Sequence, residues 1–148
     1  MKSKLPYIKV AVIQVKPLSE GSFHVFLKVK LNGKSALFIL DTGASGSVID
    51  LNFYTQKLLL KPKSIKQEVH GLNSVLYEMK FGAVKETQIG KLNVKNAKFS
   101  CLDLNHINNA YSSKGLKIKI HGILGSDILN KHQLLIDYKH SLIGRVKE

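Results

Sequence analysis

The residues that could do chemistry are Asp41-Thr42-Gly43-Ala44-Ser45, which directly follow an apolar run from Ala36 to Leu40. The run predicts a short buried strand. A carboxylate at the end of such a strand is costly unless it is hydrogen-bonded, paired or protonated. Gly43 predicts a turn that no side chain would tolerate, in which backbone amides close on the Asp41 carboxylate. On the tripeptide alone a plain strand-to-turn corner is the better explanation, and the later motifs favour a catalytic loop.

The residues before this loop predict a β-hairpin that would hold Asp41 in place. Residues 7–15 form a first candidate strand. From residue 23 the pattern alternates strictly, which predicts a half-buried strand with Phe23, Val25, Leu27, Val29 and Leu31 on its inner face. Asn32-Gly33 predicts a type I′ turn, because both central positions of that turn need positive φ. The return strand runs into Asp41, so the register of the hairpin would fix this residue.

A second glycine-centred turn, residues 70–74, lies between two strand-like segments, residues 65–69 and 75–81. A hairpin tipped by glycine can bend and lift, which suits a lid over a cleft. An ordinary surface hairpin explains these residues about as well, although their position after the Asp-Thr-Gly loop favours a lid.

The rest of the chain predicts short elements separated by turns. Val48-Ile49 predicts a strand, and Asp50 predicts the cap of a short helix that extends to Leu60. Residues 88–104 predict another hairpin, and residues 105–115, rich in Asn and Ser, predict a mobile loop. The remaining predictions are a strand over residues 116–121, a helix over residues 127–131 capped by Ser126, and a last hairpin of residues 134–138 and 141–146.

Length and composition indicate a globular protein. A chain of 148 residues with 44% hydrophobic content fits one domain with a core that needs no disulfides. The single Cys101 excludes an internal disulfide and a multi-cysteine metal site, and we expect it to be a small core residue. No stretch reaches the length of a membrane span, and no cleavage site follows the apolar residues 8–15. We therefore expect no membrane partner and a cytoplasmic location.

The formal charge of +13 suits a nucleic-acid binder, a protein with an acidic partner, or a solvated basic surface. The lysines are spread along the predicted strands and turns, and the chain contains one Arg. Nucleic-acid readers concentrate Arg and interleave aromatic residues. A solvated surface is therefore the favoured interpretation, and we expect no nucleic-acid partner.

The Asp-Thr-Gly-Ala loop, the glycine hairpin and the later sequence Gly122-Ile123-Leu124-Gly125 occur in an order that resembles the retropepsin-like, single-lobe aspartic proteases. The resemblance extends from about residue 23 to residue 138. It implies a mostly β fold, a closed acid-protease β-barrel with one or two short helices. Residues 1–148 would form a single domain, with residues 1–22 as an N-terminal extension or strand and residues 23–146 as the core. Taken alone, the glycine motif also fits a buried strand before a helix.

The resemblance also implies roles for individual residues. Asp41 would be the catalytic acid and base, and no cofactor or metal is needed. Thr42 would brace two loops across a subunit interface, Gly43 would position substrate and turn, and Ala44 would leave the carboxylate without a hydroxyl donor. The flap over the substrate would carry Gly71, Leu72 and Asn73. The residues that pack an apolar wall against the loop would be Ile123, Leu124 and Gly125.

Peptide hydrolysis by this chemistry needs two carboxylates that share a proton, one to activate water and one to polarise the carbonyl. The sequence has a single Asp-Thr-Gly, since the other Asp residues are followed by Leu, Ile or Tyr. The resemblance therefore implies a homodimer in which each subunit contributes Asp41. The substrate would be a peptide or protein, and the absent hydroxyl donor at Ala44 predicts an optimum at mildly acidic pH.

Two alternatives stay open. The first is a catalytically silent dimer of the same fold that binds peptides or protein partners, because fold does not guarantee function. The second is a basic, nucleic-acid-associated protein, for which binding would depend steeply on salt concentration. Other catalytic schemes fit poorly, since the chain has neither a His-Glu-x-x-His nor a Gly-x-Ser-x-Gly motif.

Overall fold

The computed structural model describes residues 4–69 and 75–147. It is mostly β, as predicted, with strands β1 (Tyr7–Val12), β2 (Gln14–Ser19), β3 (Ser22–Leu31), β4 (Lys34–Leu40), β5 (Val48–Asp50), β6 (Lys63–Val69), β7 (Val75–Ile89), β8 (Leu92–Leu102), β9 (Gly122–Leu124), β10 (Leu134–Asp137) and β11 (Leu142–Val146). Where the sequence predicts one or two helices, the described residues contain a π-helical turn (Phe53–Lys57), α1 (Asn105–Ser113) and α2 (Ser126–Lys131).

The larger sheet closes on itself around the main core. Its strand order is β2-β3-β4-β9-β5-β8-β7-β6, and an additional pairing of β3 with β7 makes a ring of the strands between them. The central strand β9 pairs in parallel with β4 and antiparallel with β5. These are the strands that lead into and out of the segment containing Asp41. That segment is therefore anchored on both sides by a strand from much later in the chain.

The β3–β4 hairpin turns as predicted, and four of the five predicted inner-face residues, Val25, Leu27, Val29 and Leu31, are buried. Asn32 and Gly33 have φ of 49° and 81°, which confirms the positive φ expected at both positions. Phe23 is exposed, contrary to the predicted alternation, whereas Phe26 from the predicted polar face is fully buried. A second hydrophobic cluster covers this face of β3, and it contains Phe26, Leu104, Tyr111, Ile118 and Ile120. A strand covered on both faces loses the simple alternation of a half-buried one.

Residues 105–113 form helix α1, and the predicted mobile loop is wrong there. Tyr111 is buried, and its ring lies 5.9 Å from that of Phe26, edge to face. The Asn108 side chain accepts from the amide of Ile120 at 2.8 Å and donates to its carbonyl at 3.0 Å. Residues 116–121 do not form the predicted strand, and at Ile120 the Asn108 side chain takes both backbone groups. Regular pairing begins at β9.

The smaller sheet joins the two ends of the chain in the order β1-β11-β10. The single strand predicted over residues 7–15 is in fact two strands, because the chain leaves the small sheet at Ile13 and continues into the large one as β2. Ile13 is buried, and its amide donates to the carbonyl of Ser141 at 3.0 Å. The predicted last hairpin is present as β10 and β11. Cys101 is buried, as expected.

Candidate active site

Asp41 lies at an exposed turn directly after β4. Its amide donates to the carbonyl of Leu124 in β9 at 3.0 Å, which fixes the backbone against the neighbouring strand. The amide of Gly43 donates to Oδ1 of Asp41 at 2.9 Å, as the sequence predicts. The amide of Ala44 donates to the Asp41 carbonyl at 3.2 Å. The backbone thus orients one carboxylate oxygen while the residue stays accessible to solvent.

Gly43 does not adopt an unusual backbone conformation, and the space next to it is tight. The described glycines with positive φ are Gly21, Gly33, Gly90 and Gly115, so the turn at Gly43 is not the one that its sequence context predicts. A Cβ atom at Gly43 would lie 3.2 Å from Oδ1 of Asp41, which is closer than side chains normally approach. The glycine therefore lets the carboxylate fold back onto the loop amide.

Three residues fasten the loop to the start of α2, and we call Ser47, Gly125 and Asp127 the loop clamp. The amide and the hydroxyl of Ser47 donate to the two carboxylate oxygens of Asp127 at 3.0 and 2.7 Å. The Ser47 hydroxyl oxygen in turn accepts from the amide of Gly125 at 2.9 Å. Ser47 is 1% exposed, so its polar groups depend on these partners. Sequence reasoning missed Ser47 and Asp127, and the available signal was an acidic residue in the first turn of a helix.

Gly125 and Ser126 also contact the loop through Ala44. A Cβ atom at Gly125 would lie 2.6 Å from the carbonyl oxygen of Ala44, so only glycine fits here without movement of the backbone. Ser126 is not the cap that the sequence predicts, because Gly125 occupies that position and Ser126 is already helical. The amide and the hydroxyl of Ser126 both donate to the Ala44 carbonyl, at 2.8 and 3.1 Å. The motif Ile123-Leu124-Gly125 thus lies directly against the loop.

Two other Asp carboxylates, those of Asp50 and Asp127, have both oxygens hydrogen-bonded. Both oxygens of Asp127 accept from Ser47, and the oxygens of Asp50 accept from the amides of Phe53 and Leu104 at 3.1 and 3.0 Å. Asp50 is not the N-cap residue that the sequence predicts, because Asn52 occupies that position, but its carboxylate accepts from Phe53, the first residue of the π-helical turn. Asp41 differs from these two residues because, among the described residues, only its Oδ1 accepts a hydrogen bond, and the donor is the amide of Gly43.

His121 forms two hydrogen bonds with the backbone of Leu37 in β4. Its Nδ1 accepts from the amide of Leu37 at 3.1 Å, and its amide donates to the Leu37 carbonyl at 2.8 Å. The ring must be neutral at Nδ1 to accept, and burial, with the nearby charge of Lys119, lowers its pKa although Asp50 opposes the shift. The sequence predicts only a strand-end residue, and its contacts make His121 a structural support for the strand that carries Asp41.

Two clefts flank the Asp41 loop. The α1 cleft has a volume of about 560 Å³ and is lined by residues that include Asp41, Ile39, Ile123, His24, Ile107 and Lys114. The β7 cleft has a volume of about 470 Å³ and is lined by residues that include Gly43, Ala44, Ser45, Glu78, Met79 and Leu102. Both volumes lie in the range of about 300–1,000 Å³ that is typical of ligand sites. The loop therefore forms a ridge between two concave surfaces.

The remaining predicted site residues have different placements. Thr42 is exposed and lines a shallow groove with Ser126 of α2. Gly71, Leu72 and Asn73 lie outside the described residues, although the pairing of β6 with β7 extends to Val69 and Val75.

Among the described residues no group of three or more His, Cys, Asp and Glu side chains is suited to a metal ion. None of the helices described has the length and apolar character that a membrane crossing requires.

Comparisons with known proteins agree with this geometry. A retropepsin-like aspartic protease from Rickettsia conorii is similar in structure, with a TM-score of 0.57 and 22% identity over 90% of this chain and 88% of that chain. The retroviral protease-like domain of Ddi1 from Leishmania major has a TM-score of 0.52 and 15% identity over 83% of this chain and 88% of that chain.

No curated protein matches the chain. Residues 27–128 match a family model described as aspartyl protease, and this segment includes both the Asp41 loop and the loop clamp. At under 25% identity the two solved structures show the fold alone, whereas the family model covers most of the chain. The chain therefore belongs to the aspartyl protease family and has a retropepsin-like fold.

Proposed function

We propose that the chain is an aspartic endopeptidase whose active form is a homodimer, with one Asp41 from each subunit. The observation that carries the proposal is the Asp41 carboxylate, exposed on a ridge between two clefts and oriented by the amide of Gly43. In a pair of such carboxylates one takes a proton from water while the other, protonated, polarises the peptide carbonyl. The two groups titrate together as one unit.

The exposure of the loop supports the dimeric arrangement. Asp41, Thr42 and Gly43 are all exposed, whereas Ser47 beneath them is buried, so a second copy can approach the tip without breaking the loop clamp. Thr42 would brace the two tips, and Gly71, Leu72 and Asn73 would cover the substrate. Residues 1–148 would act as one domain, since β1 and β11 pair the two ends of the chain.

The first test compares Asp41→Asn with Asp103→Asn. Asp103 is a matched control because its carboxylate also accepts an amide two residues later, from Asn105 at 2.8 Å, but it lines neither flanking cleft. We expect Asp41→Asn to lower kcat for peptide cleavage about 10²–10⁴-fold, the usual contribution of a general acid–base group, and Asp103→Asn to leave it unchanged. Equal activity of the two variants would contradict the proposal. Peptide binding without cleavage by the wild type would instead favour a silent binding module.

A mixing experiment tests whether the site is shared. Wild-type and Asp41→Asn subunits are equilibrated in different ratios at constant total concentration, and the cleavage rate is measured. If each site needs both carboxylates, activity falls with the square of the wild-type fraction, because mixed dimers are inactive. A linear decrease, or a monomer by sedimentation under assay conditions, would rule out the shared site.

A further inference from the structure

One face of helix α1 forms a wall of the α1 cleft. His106, Ile107, Ala110, Tyr111 and Lys114 all line this cleft, and their spacing of three and four residues places them on one side of a helix. The same cleft contains Asp41. A side chain of a bound peptide could therefore contact α1 while the peptide backbone lies at the carboxylate.

The wall is held rigidly by contacts below it. Tyr111 is buried, and its hydroxyl lies 2.8 Å from Nδ1 of His24 on β3. Asn108 fixes the helix to Ile120 through two hydrogen bonds. Sites that discriminate between ligands need groups held in place by such supporting contacts. His106 on this helix and Lys114, its C-cap residue, are both exposed.

The α1 cleft has more basic side chains than the β7 cleft. Its described lining residues include Lys114, the imidazoles of His24 and His106, and one carboxylate, that of Asp41. The β7 cleft has Glu78 beside Lys80, which balance each other. Apart from these groups the floor of the α1 cleft is largely apolar, with Ile39 and Ile123 next to Asp41. The cleft thus combines an apolar floor with a basic wall.

We propose that the α1 cleft selects peptides that carry a large apolar side chain close to an acidic one. The apolar side chain would lie on Ile39 and Ile123, and its acidic neighbour would pair with Lys114 and His106. A cleft of about 560 Å³ is large enough to accept more than one side chain. This inference rests on the proposed function, since it names the substrate class of the same site, and Lys114 and His106 would be residues that determine specificity.

The experiment uses peptide pools with a fixed central Phe-Leu and with Glu, Gln or Lys at one of the four flanking positions. Binding is measured by fluorescence anisotropy with full-length Asp41→Asn, so that no peptide is cleaved, and cleavage is measured with the wild type. For at least one position we expect the Glu pool to bind about two- to fivefold more tightly than the Gln pool, the upper range for one exposed ion pair. The Lys pool should bind more weakly than both.

Lys114→Glu is then compared with Lys117→Glu, each in the Asp41→Asn background. Lys117 is also exposed but does not line the α1 cleft, so both changes alter the net charge equally. We expect Lys114→Glu to reverse the preference for Glu over Gln and Lys117→Glu to retain it. If Lys114→Glu fails to fold, Lys114→Gln is tested in its place. It should remove the preference for Glu without reversing it.

Equal affinity for the Glu and Gln pools at every position, no measurable binding of any pool, or the same response of Lys114→Glu and Lys117→Glu would overturn the proposal. If the Asp41→Asn protein prefers the Glu pool through Lys114 but the wild type cleaves none of the peptides, the cleft assignment holds and the proposed protease function fails. If the wild type cleaves all pools equally well, the proposed protease function holds and the assignment of the α1 cleft fails.

Discussion

Asp127 and Asp137 each join parts of the chain that are distant in sequence, but they do so with different partners. In the loop clamp, Asp127 accepts from the amide and the hydroxyl of Ser47. At the chain ends, Asp137 in β10 accepts from the Tyr7 hydroxyl and from the backbone and ring of His140. We call Asp137, Tyr7 and His140 the end clamp. One clamp positions the residue proposed for catalysis, and the other joins β1 to β10 across β11.

The difference lies in which partners titrate. The hydrogen bonds from Tyr7 and His140 lower the pKa of Asp137 to about 2, and burial together with the contact to Asp137 raises the pKa of Tyr7 to about 12. An amide and a serine hydroxyl do not titrate in this range. The end clamp should therefore respond to pH through Asp137 and Tyr7, whereas breaking the loop clamp should affect the geometry around Asp41.

The largest effect should come from Asp127→Ala. This change leaves the amide and the hydroxyl of the buried Ser47 without acceptors, which costs about 1–3 kcal/mol for each unsatisfied group. We expect the free energy of unfolding in urea to fall by about 2–4 kcal/mol and peptide cleavage to fall with it. Asp103→Ala is the control and should change stability by less than about 1 kcal/mol. Equal losses for the two variants would show that the loop clamp does not hold the loop.

Gly125→Ala breaks the loop clamp by size alone. The new Cβ atom would lie 2.6 Å from the carbonyl oxygen of Ala44, so the backbone must move, at a cost of about 1–3 kcal/mol. Gly46→Ala is the matched control, because a Cβ atom there meets nothing within 4 Å. Urea unfolding and the cleavage rate should both distinguish the two variants. A neutral Gly125→Ala would mean that the contact with Ala44 relaxes without cost.

Asp137→Asn tests the end clamp through the pH dependence of Tm. Because the folded pKa of Asp137 is about 2 and its ordinary value is 3.8, its contribution to stability is present above about pH 3.8 and is lost as the pH falls towards 2. Tyr7 has its pKa raised from 10.0 to about 12, so its contribution is lost as the pH rises through this interval. The Tm difference between wild type and variant should be largest between these limits and smaller beyond both. A constant difference would contradict the end clamp.

The smallest effect should come from His121, which hydrogen-bonds Leu37 in β4. Its lowered pKa means that its contribution to stability is full above the ordinary value of 6.5 and is lost as the pH falls below it. His121→Asn keeps an acceptor for the Leu37 amide but cannot titrate. The stability of the variant relative to wild type should therefore rise when the pH is lowered from 7.5 to 5. Chemical unfolding of both proteins at the two pH values measures the difference, and an unchanged difference would contradict this role of His121.

The local features around Asp41 could be predicted from sequence because they depend on neighbouring residues. The Asn32-Gly33 turn needs positive φ at two adjacent positions, and the Gly43 amide reaches the Asp41 carboxylate within one turn. Phe26 and helix α1 could not be predicted in this way. Alternation places Phe26 on the polar face because it assumes one buried face, and the other face is covered by residues from distant segments, among them Tyr111 and Leu104.

By itself, the sequence determined that a carboxylate follows an apolar strand in a tight turn, and that a glycine-bearing apolar motif occurs later in the chain. The tertiary structure alone decided that Ser47 depends on Asp127, that the ends of the chain meet at Asp137, and that α1 lines a cleft with Asp41. The physical reason is distance along the chain. A turn depends on the conformations of adjacent residues and can be predicted from them. A hydrogen bond between residues 47 and 127 produces no periodic pattern in the sequence and cannot be predicted in this way.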